Sequence, residues 1–536
     1  MVLDINLFRT EKGGNPEKIK ESEKNRFNDV SNVDKVIEYD EKWRKSIFKL
    51  EELKKNINLI NKTIGNKKKE DKNANVEDLK QKSLSMKEEI PLIQNEEKHL
   101  LKQRNTYLAK VGNILSSKVV INNDEEHNKV VRTWGECKNY EPTDLEKSDT
   151  TKGDTPNTKR EVGNNNDGQN KVNIISEIKK KYYYHYDLLR KIGGVNFKKG
   201  VLVAGHRGYY LTGAGFLLNN AIMQYAINFL VNKKYTPVYP PFFMKKTIME
   251  ECAELDDFEE TLYKISSSSV ASAEDPKITA NNNSNNISNE KSNRDDLFLI
   301  ATSEQPLCAL HRDETLESRY LPLKYVGISS CFRKEAGAHG KDIRGILRVH
   351  QFDKVEQFCI SLPQTSYKLH EEMIKTCEEF YQSLNIPYKI VNIVSGALNN
   401  AAALKYDIEG YFPSSGQYRE LVSCSNCTDY QSINLNIRYT DSNIKIAGIT
   451  KSSKDKNDEN TKDETKDEYV DSEYEKFNHD FPVENKNYVH LLNGTMVAGQ
   501  RFLCCLLENY QNGEGIMVPE KLRPYMNNTD FIPFIE

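Results

Sequence analysis

The stretch CFRKEAGAHGKDIRGILRVHQFDKVEQF (331–358) sets chemically loaded side chains at short, regular spacing. Arg333 and Glu335 are two apart, and so, in turn, are Arg348, His350, Phe352, Lys354 and Glu356. In an extended chain, alternate residues point to one face. A guanidinium group grips phosphate oxygens or a carboxylate through its planar fork. A phenylalanine ring can stack on a base. A glutamate accepts from an ammonium, an amide or a hydroxyl, or holds a cation through oxygen. Two arginines, one ring and two glutamates on one face suit a site for ATP and an amino acid. A surface ion-pair ladder is the bland reading of the same residues. Arg348, Phe352 and Glu356 are also four apart, so a helix face competes; the flanking glycines and Ile346, Val349 and Val355 favour strands.

Such a face needs a sheet behind it. DIRGIL joins two extended runs through a loop of roughly ten residues, too short for a parallel crossover, so the pairing is expected to be antiparallel. AGFLLNNAIMQYAINFLVNK (214–233) and YKLHEEMIKTCEEFYQSL (367–384) have helical periodicity. YTPVYPPFFM (235–244) is extended by its prolines. YKIVNIVSG (388–396) and NIKIAGIT (443–450) read as strands, and EEHNKVVRTWGE (125–136) as one strand and turn. The expected class is α+β with a mainly antiparallel sheet and flanking helices.

Upstream the period changes. Val36, Trp43, Leu50, Ile57 and Ile64 are seven apart, as are Leu79, Met86, Ile93, Leu100, Tyr107 and Ile114. A polar break containing Gly65 and NKKK separates them, which predicts an antiparallel helical hairpin with Pro91 as a possible kink. A dimerising coiled coil is the other reading of this pattern. The domains are expected at 1–120 (arm), 121–176 (linker, partly disordered) and 177–536 (catalytic), with polar insertions at about 266–296 and 451–475.

Hydrophobic residues are 37 % and charged residues 29 % of the 536, with net charge -3, which argues against a globally basic nucleic-acid binder. No unbroken apolar run reaches 18 residues, so no membrane span is expected. The start, MVLDINLFRTEKGGNP, lacks the basic and apolar blocks of a secretory leader. Ten scattered cysteines read as reduced thiols in a cytoplasmic protein.

FRKE, the loop after it and ILRVHQFDKVE together resemble motif 2 of the class II aminoacyl-tRNA synthetases, and RGILRVHQFDKVE is similar to that of the seryl-tRNA synthetases. YTPVYPPFF resembles motif 1, with Pro241 at its characteristic proline, and LNGTMVAGQR (492–501) resembles motif 3. ATSEQP (301–306) and ELVSCSNCTDYQ (420–431) match the family's serine-binding and second ATP segments, and MVLDINLFR with the hairpin matches its amino-terminal arm. Motif 3 departs at Met496, where many relatives carry glycine.

The resemblance implies a cytoplasmic, homodimeric ligase, paired through motif 1 at Pro241, that uses ATP, Mg²⁺, L-serine, tRNA(Ser) and also tRNA(Sec). It implies that Thr302, Ser303, Glu304, Arg333, Glu356 and Thr495 bind serine. It implies that Arg333, Lys334, Glu335, Arg348, Val349, Phe352, Glu420, Leu421, Val422, Ser423 and Arg501 bind ATP, with Glu420 on Mg²⁺. Thr302 and Glu304 take the ammonium in this reading, and Glu356 and Thr495 the side-chain hydroxyl. Cys424 and Cys427 form a lone C-x-x-C without a second ligand pair, so no zinc site is expected. GHRGYYLTGAG (205–215) reads as a turn rather than a phosphate loop, and KKKYYYHY (179–186) as a solvated helix start or an RNA contact. An armless relative that charges a carrier protein and a non-catalytic coiled-coil scaffold are the competing functions.

Overall fold

The computed structural model describes residues 2–138, 182–253, 261–265, 296–335, 344–440, 471–482 and 487–535. The linker from residue 139, NIKIAGIT, the first polar insertion, Lys179 to Lys181 and His339 fall outside them.

Helix α1 (Pro16–Asn25) leads into the hairpin of α2 (Ser31–Glu70) and α3 (Glu77–Leu108). Its forty-residue first helix is about 60 Å long at the usual rise. Val36, Ile57 and Ile93 are buried, as the heptads require. The break is shorter than expected. Helix α2 runs through Gly65 and the NKKK run, putting Lys67, Lys68 and Lys69 in its last turn, where the helix dipole favours cations. Pro91 lies inside α3 without ending it, whereas Ile114 lies beyond its last turn and packs at the arm's root. There the buried Asp40 accepts a two-pronged grip from Arg9 (2.8 and 2.7 Å) and pairs with Arg104 (3.2 Å) and Arg44 (3.1 Å).

Beyond the hairpin the chain builds an eight-stranded sheet. Its strands are β1 (Lys129–Trp134), β2 (Thr236–Val238), β3 (Leu323–Phe332), β4 (Gln351–Ser361), β5 (Tyr388–Asn392), β6 (Leu404–Phe412), β7 (Gln417–Asn426) and β8 (His490–Ala498), in the order β1-β5-β6-β7-β8-β4-β3-β2. All neighbours are antiparallel except β2 on β3. The Cys331–Phe358 stretch is therefore two paired strands, but they are shorter than the alternation suggests. Strand β3 stops at Phe332 and β4 starts at Gln351, so Arg348 and His350 sit on the connection. That connection runs from Arg333 to His350, longer than the loop expected.

Further helices are α4 (His185–Lys191), α5 (Phe197–Ala204), α6 (Gly213–Asn232), α7 (Glu304–Cys308), α8 (Ser366–Ser383), α9 (Ser472–Asp480) and α10 (Gly499–Tyr510). Helices α6, α8 and α10 cover one sheet face. Val355 and Cys359 of β4 point into that core, and Gln357 donates to the Met373 carbonyl of α8 at 3.3 Å. The opposite face of β4 carries Phe352, Lys354 and Glu356 and then enters a second core at Phe358 and Ile360. Helix α6 is long and apolar enough to cross a membrane by length and composition, because its 20 residues carry no charge although asparagine and glutamine interrupt the apolar run. It packs instead on β4, β8 and α10, with Leu218, Ala221, Ile222 and Leu230 fully buried. Helix α9 starts at Ser472, inside the stretch expected to be an insertion. Its Glu473 accepts from Ser116 Oγ at 2.8 Å and from the Ser117 amide at 2.9 Å.

Candidate active site

The open face of β4, β6, β7 and β8 forms the floor of a cavity of about 390 Å³. Two β-bulges aim its side chains. Across β6 and β7, Ile408 pairs with Val422 and Glu409 with Glu420, skipping Leu421. Across β4 and β8, Val355 pairs with Val497 and Glu356 with Thr495, skipping Met496. Each extra residue resets the alternation, so Glu420 and Ser423, three apart, face the cavity together, as do Thr495 and Ala498. Met496, the departure from the family pattern, is a fully buried bulge residue whose carbonyl accepts from the Tyr381 hydroxyl at 3.4 Å.

One end of the cavity is organised around Glu356, whose side chain is 2 % exposed. Its Oε2 accepts from Thr302 Oγ1 (2.5 Å), Ser303 Oγ (2.9 Å) and the Glu304 amide (3.1 Å). Its Oε1 accepts from Lys354 Nζ at 2.6 Å. Burial alone would raise the Glu356 pKa; Lys354 and the hydroxyl donors outweigh it and hold the carboxyl below its ordinary range. Gly327 pairs with Glu356 from β3. A Cβ there would lie 2.7 Å from both Leu307 Cδ1 and Ser303 Oγ, so a side chain would push the α7 turn off Glu356. Glu304 has the opposite fate. Burial, then the neighbouring Glu356 charge, push it up to about 7, against a 2.9 Å bond from Gln431 and the more distant charges of Lys354 and Arg333.

The other end carries the ring and the guanidiniums. Arg333 lies over Phe352 at 5.3 Å and donates from Nε to the Ala301 carbonyl at 3.3 Å. Arg501, in the first turn of α10, donates to the Glu420 carbonyl at 3.1 Å. Glu335, at φ +50°, is 3.9 Å from Arg207, which also donates to the Arg348 carbonyl at 3.4 Å. Beneath Glu420 lies the buried Asp407, pushed up to about 7 by burial, with Lys405 opposing at 3.5 Å and Glu420 reinforcing. Asp407 Oδ1 is buried without a hydrogen-bond partner among the described residues. The Glu420 carboxylate and Ser423 hydroxyl offer oxygen only, and a hard divalent cation there would relieve the crowding of the two carboxylates, so the residues fit Mg²⁺.

Most of the expected residues meet in this one cavity: Thr302, Glu304, Arg333, Glu335, Arg348, Val349, Phe352, Glu356, Glu420, Leu421, Ser423, Thr495 and Arg501. Four do not line it. Ser303 is buried beneath Glu356, and Val422 points into the helix-covered core. The Lys334 amide is tied to the Thr261 carbonyl, and Pro241 is exposed elsewhere. His350 holds the Arg333 carbonyl at 3.0 Å rather than facing the cavity. Sequence reasoning missed Lys354 as a site residue, though it alternates with Phe352 and Glu356. It also missed Asn493, two residues before Thr495, and Arg207, which lies in the 205–215 stretch and reaches Glu335.

Residues 2–115 match the seryl-tRNA synthetase N-terminal domain, and residues 287–449 match the class II tRNA synthetase core domain (G, H, P, S and T). The chain is 41 % identical to a serine–tRNA ligase of Helianthus annuus over 542 residues, covering 100 % of this chain and 99 % of that one. Among solved structures it is similar to the cytoplasmic serine–tRNA ligase of Naegleria fowleri in complex with AMP (39 % identity, TM-score 0.72). It is also similar to the seryl-tRNA synthetase of Pyrococcus horikoshii complexed with ATP (33 % identity, TM-score 0.73); both comparisons cover 100 % of each chain.

Proposed function

Because the chain belongs to the seryl-tRNA synthetase family of class II, we propose that its cavity joins L-serine to ATP and passes the seryl group to tRNA. It is an ATP-dependent serine–tRNA ligase, and we assign it to the cytoplasm with its named relative. The observation that carries the reading is the pairing of two ends in one cavity. A buried Glu356, held by Lys354 and the 302–304 turn with one lone pair of Oε1 still open, lies beside Glu304 and suits a small amino acid, and Phe352 under Arg333, opposite Arg501, suits a nucleoside triphosphate.

In this assignment adenine stacks on Phe352 and its amino edge meets Glu335. Arg333 bridges the α-phosphate and the serine carboxylate, while Arg348 and Arg501 hold the outer phosphates. The serine carboxylate attacks the α-phosphorus in line and pyrophosphate leaves. The terminal ribose hydroxyl of tRNA then attacks the adenylate carbonyl and AMP leaves. No side chain has to form a covalent bond; the arginines stabilise charge where it develops. Mg²⁺ entering with ATP, held by Glu420 and Ser423, would supply charge neutralisation on the phosphates.

The arm is assigned to tRNA(Ser), with tRNA(Sec) as a second acceptor. The partner subunit is assigned to the motif 1 side at Pro241, where Tyr239 lies exposed, and to the exposed apolar side chains of α5. The test is serine-dependent ATP–pyrophosphate exchange with Mg²⁺, followed by charging of both RNAs. Exchange with serine and not with other amino acids is expected, and its absence overturns the reading.

A further inference from the structure

We propose that Lys354 is a specificity-determining residue that reads the substrate's side-chain hydroxyl jointly with Glu356. The proposal rests on the assignment of this end of the cavity to serine.

Its basis is a count of donors and lone pairs. Glu356 Oε2 is filled by three donors from the 302–304 turn. Oε1 receives only Lys354, at 2.6 Å, and keeps room for one more donor. Lys354 Nζ has three N–H bonds. One goes to Glu356 Oε1 and one to Thr302 Oγ1 at 2.9 Å; the third has no partner among the described residues. The Thr302 hydroxyl proton is already committed to Glu356. Lys354 lines the cavity with a side chain only 10 % exposed, so bulk water does not level its preference.

What remains is one free donor beside one free acceptor, at the two ends of a 2.6 Å contact. A hydroxyl is the small group that accepts and donates through a single oxygen. A methyl group there leaves both unpaired, at a cost. An ammonium can only donate and meets the Lys354 charge. The substrate's amino group is thereby directed to the other carboxylate. Glu356 is in direct contact with the Lys354 ammonium, whereas Glu304 has Lys354 and Arg333 only as more distant cations, so Glu304 is the carboxylate left for a substrate ammonium. Ammonium to Glu304 and hydroxyl to the Lys354–Glu356 pair is the orientation that fills every site.

The experiment compares the native enzyme with K354M and K354Q in ATP–pyrophosphate exchange. The substrates are serine and alanine, with L-2,3-diaminopropionate as competitive inhibitor. K354M is expected to lower the serine-to-alanine ratio of kcat/KM about ten- to a hundredfold, the value of one charge-assisted hydrogen bond. Diaminopropionate, whose β-ammonium can occupy the vacated Nζ position beside Glu356, should inhibit K354M about tenfold more tightly than the native enzyme. K354Q, which keeps a donor without the charge, should fall between. An unchanged serine-to-alanine ratio, or equal losses for both substrates with no tighter inhibition, overturns the proposal, because a residue that only shapes the pocket would act this way. If K354M does not fold, a native ratio in K354Q overturns it. Native enzyme without serine-dependent exchange would instead sink the reading on which the proposal rests.

Discussion

Glu304 and Glu356 share one buried pocket, and only Glu356 has a cation against it. Their pKa values are pushed apart, and with the proposed assignment of Glu304 to the substrate ammonium this makes serine binding depend on pH. Glu304, ordinarily at 4.5, titrates at about 7 in the folded protein. Its protonated form therefore adds stability that is complete below about 4.5 and is lost as pH rises through about 7. The substrate ammonium prefers the ionised form. The KM for serine should thus fall as pH rises from 6 to 8, by up to about tenfold per unit below 7. Glu304→Gln should remove that step and raise the melting temperature at pH 8 relative to pH 6. A pH-independent KM in the native enzyme would show that Glu304 stays charged. At the nucleotide end, Phe352→Ala removes the ring beneath Arg333 and should raise the KM for ATP about tenfold while moving that for serine little. Glu356→Ala should do the reverse. Alternation made Phe352, Lys354 and Glu356 legible as one face. It could not reveal that one oxygen of Glu356 is filled and the other is left open, because the donors that fill it come from residues 302–304, distant in sequence. Nor could it reveal Arg207, which reaches the site from a turn.

Strands and helices were legible where their period was long and uninterrupted, as in α2, α3, α6 and α8. The start of β4 and the bulges at Leu421 and Met496 were not, because a bulge conserves composition and changes only register. The root of the arm was equally hidden, since it depends on polar contacts between remote segments. Arg26, just past α1, donates to the carbonyls of Asn113 (2.8 Å), Asn399 (3.2 Å) and Ala402 (2.6 Å). Asn399 also lines the active-site cavity. Asn113 in turn donates to the Ala401 and Cys427 carbonyls at 2.8 and 2.9 Å. The arm's root and a wall of the site are therefore one hydrogen-bonded unit. Arg26→Ala should destabilise the protein by about 2–4 kcal/mol, since it strips several buried acceptors at once. It should also raise the KM for serine or ATP in exchange assays run without RNA. Denaturant unfolding and steady-state exchange measure the two effects. A stability loss with unchanged KM would confine Arg26 to the arm.

At the scale of the whole molecule, one surface is too apolar to face water alone. Helix α5 exposes Val201, Leu202 and Val203 at 49, 76 and 70 %, and Phe216 and Tyr239 are exposed as well. Exposed apolar side chains crowded on one short helix mark an interface. The turn that follows α5 carries Arg207, which reaches Glu335 and the Arg348 carbonyl on the rim of the cavity. Covering the patch with a second copy would thus brace the rim from behind, and pairing and catalysis would share one element. Leu202→Asp with Val203→Asp places two charges on the exposed face of α5. Light scattering should give twice the 61.7 kDa chain mass for the native protein and a single chain mass for the variant. Exchange activity should fall with the mass even though neither residue touches the cavity. A monomeric variant with full exchange would separate the rim from the interface, and a variant that still pairs would move the interface off α5.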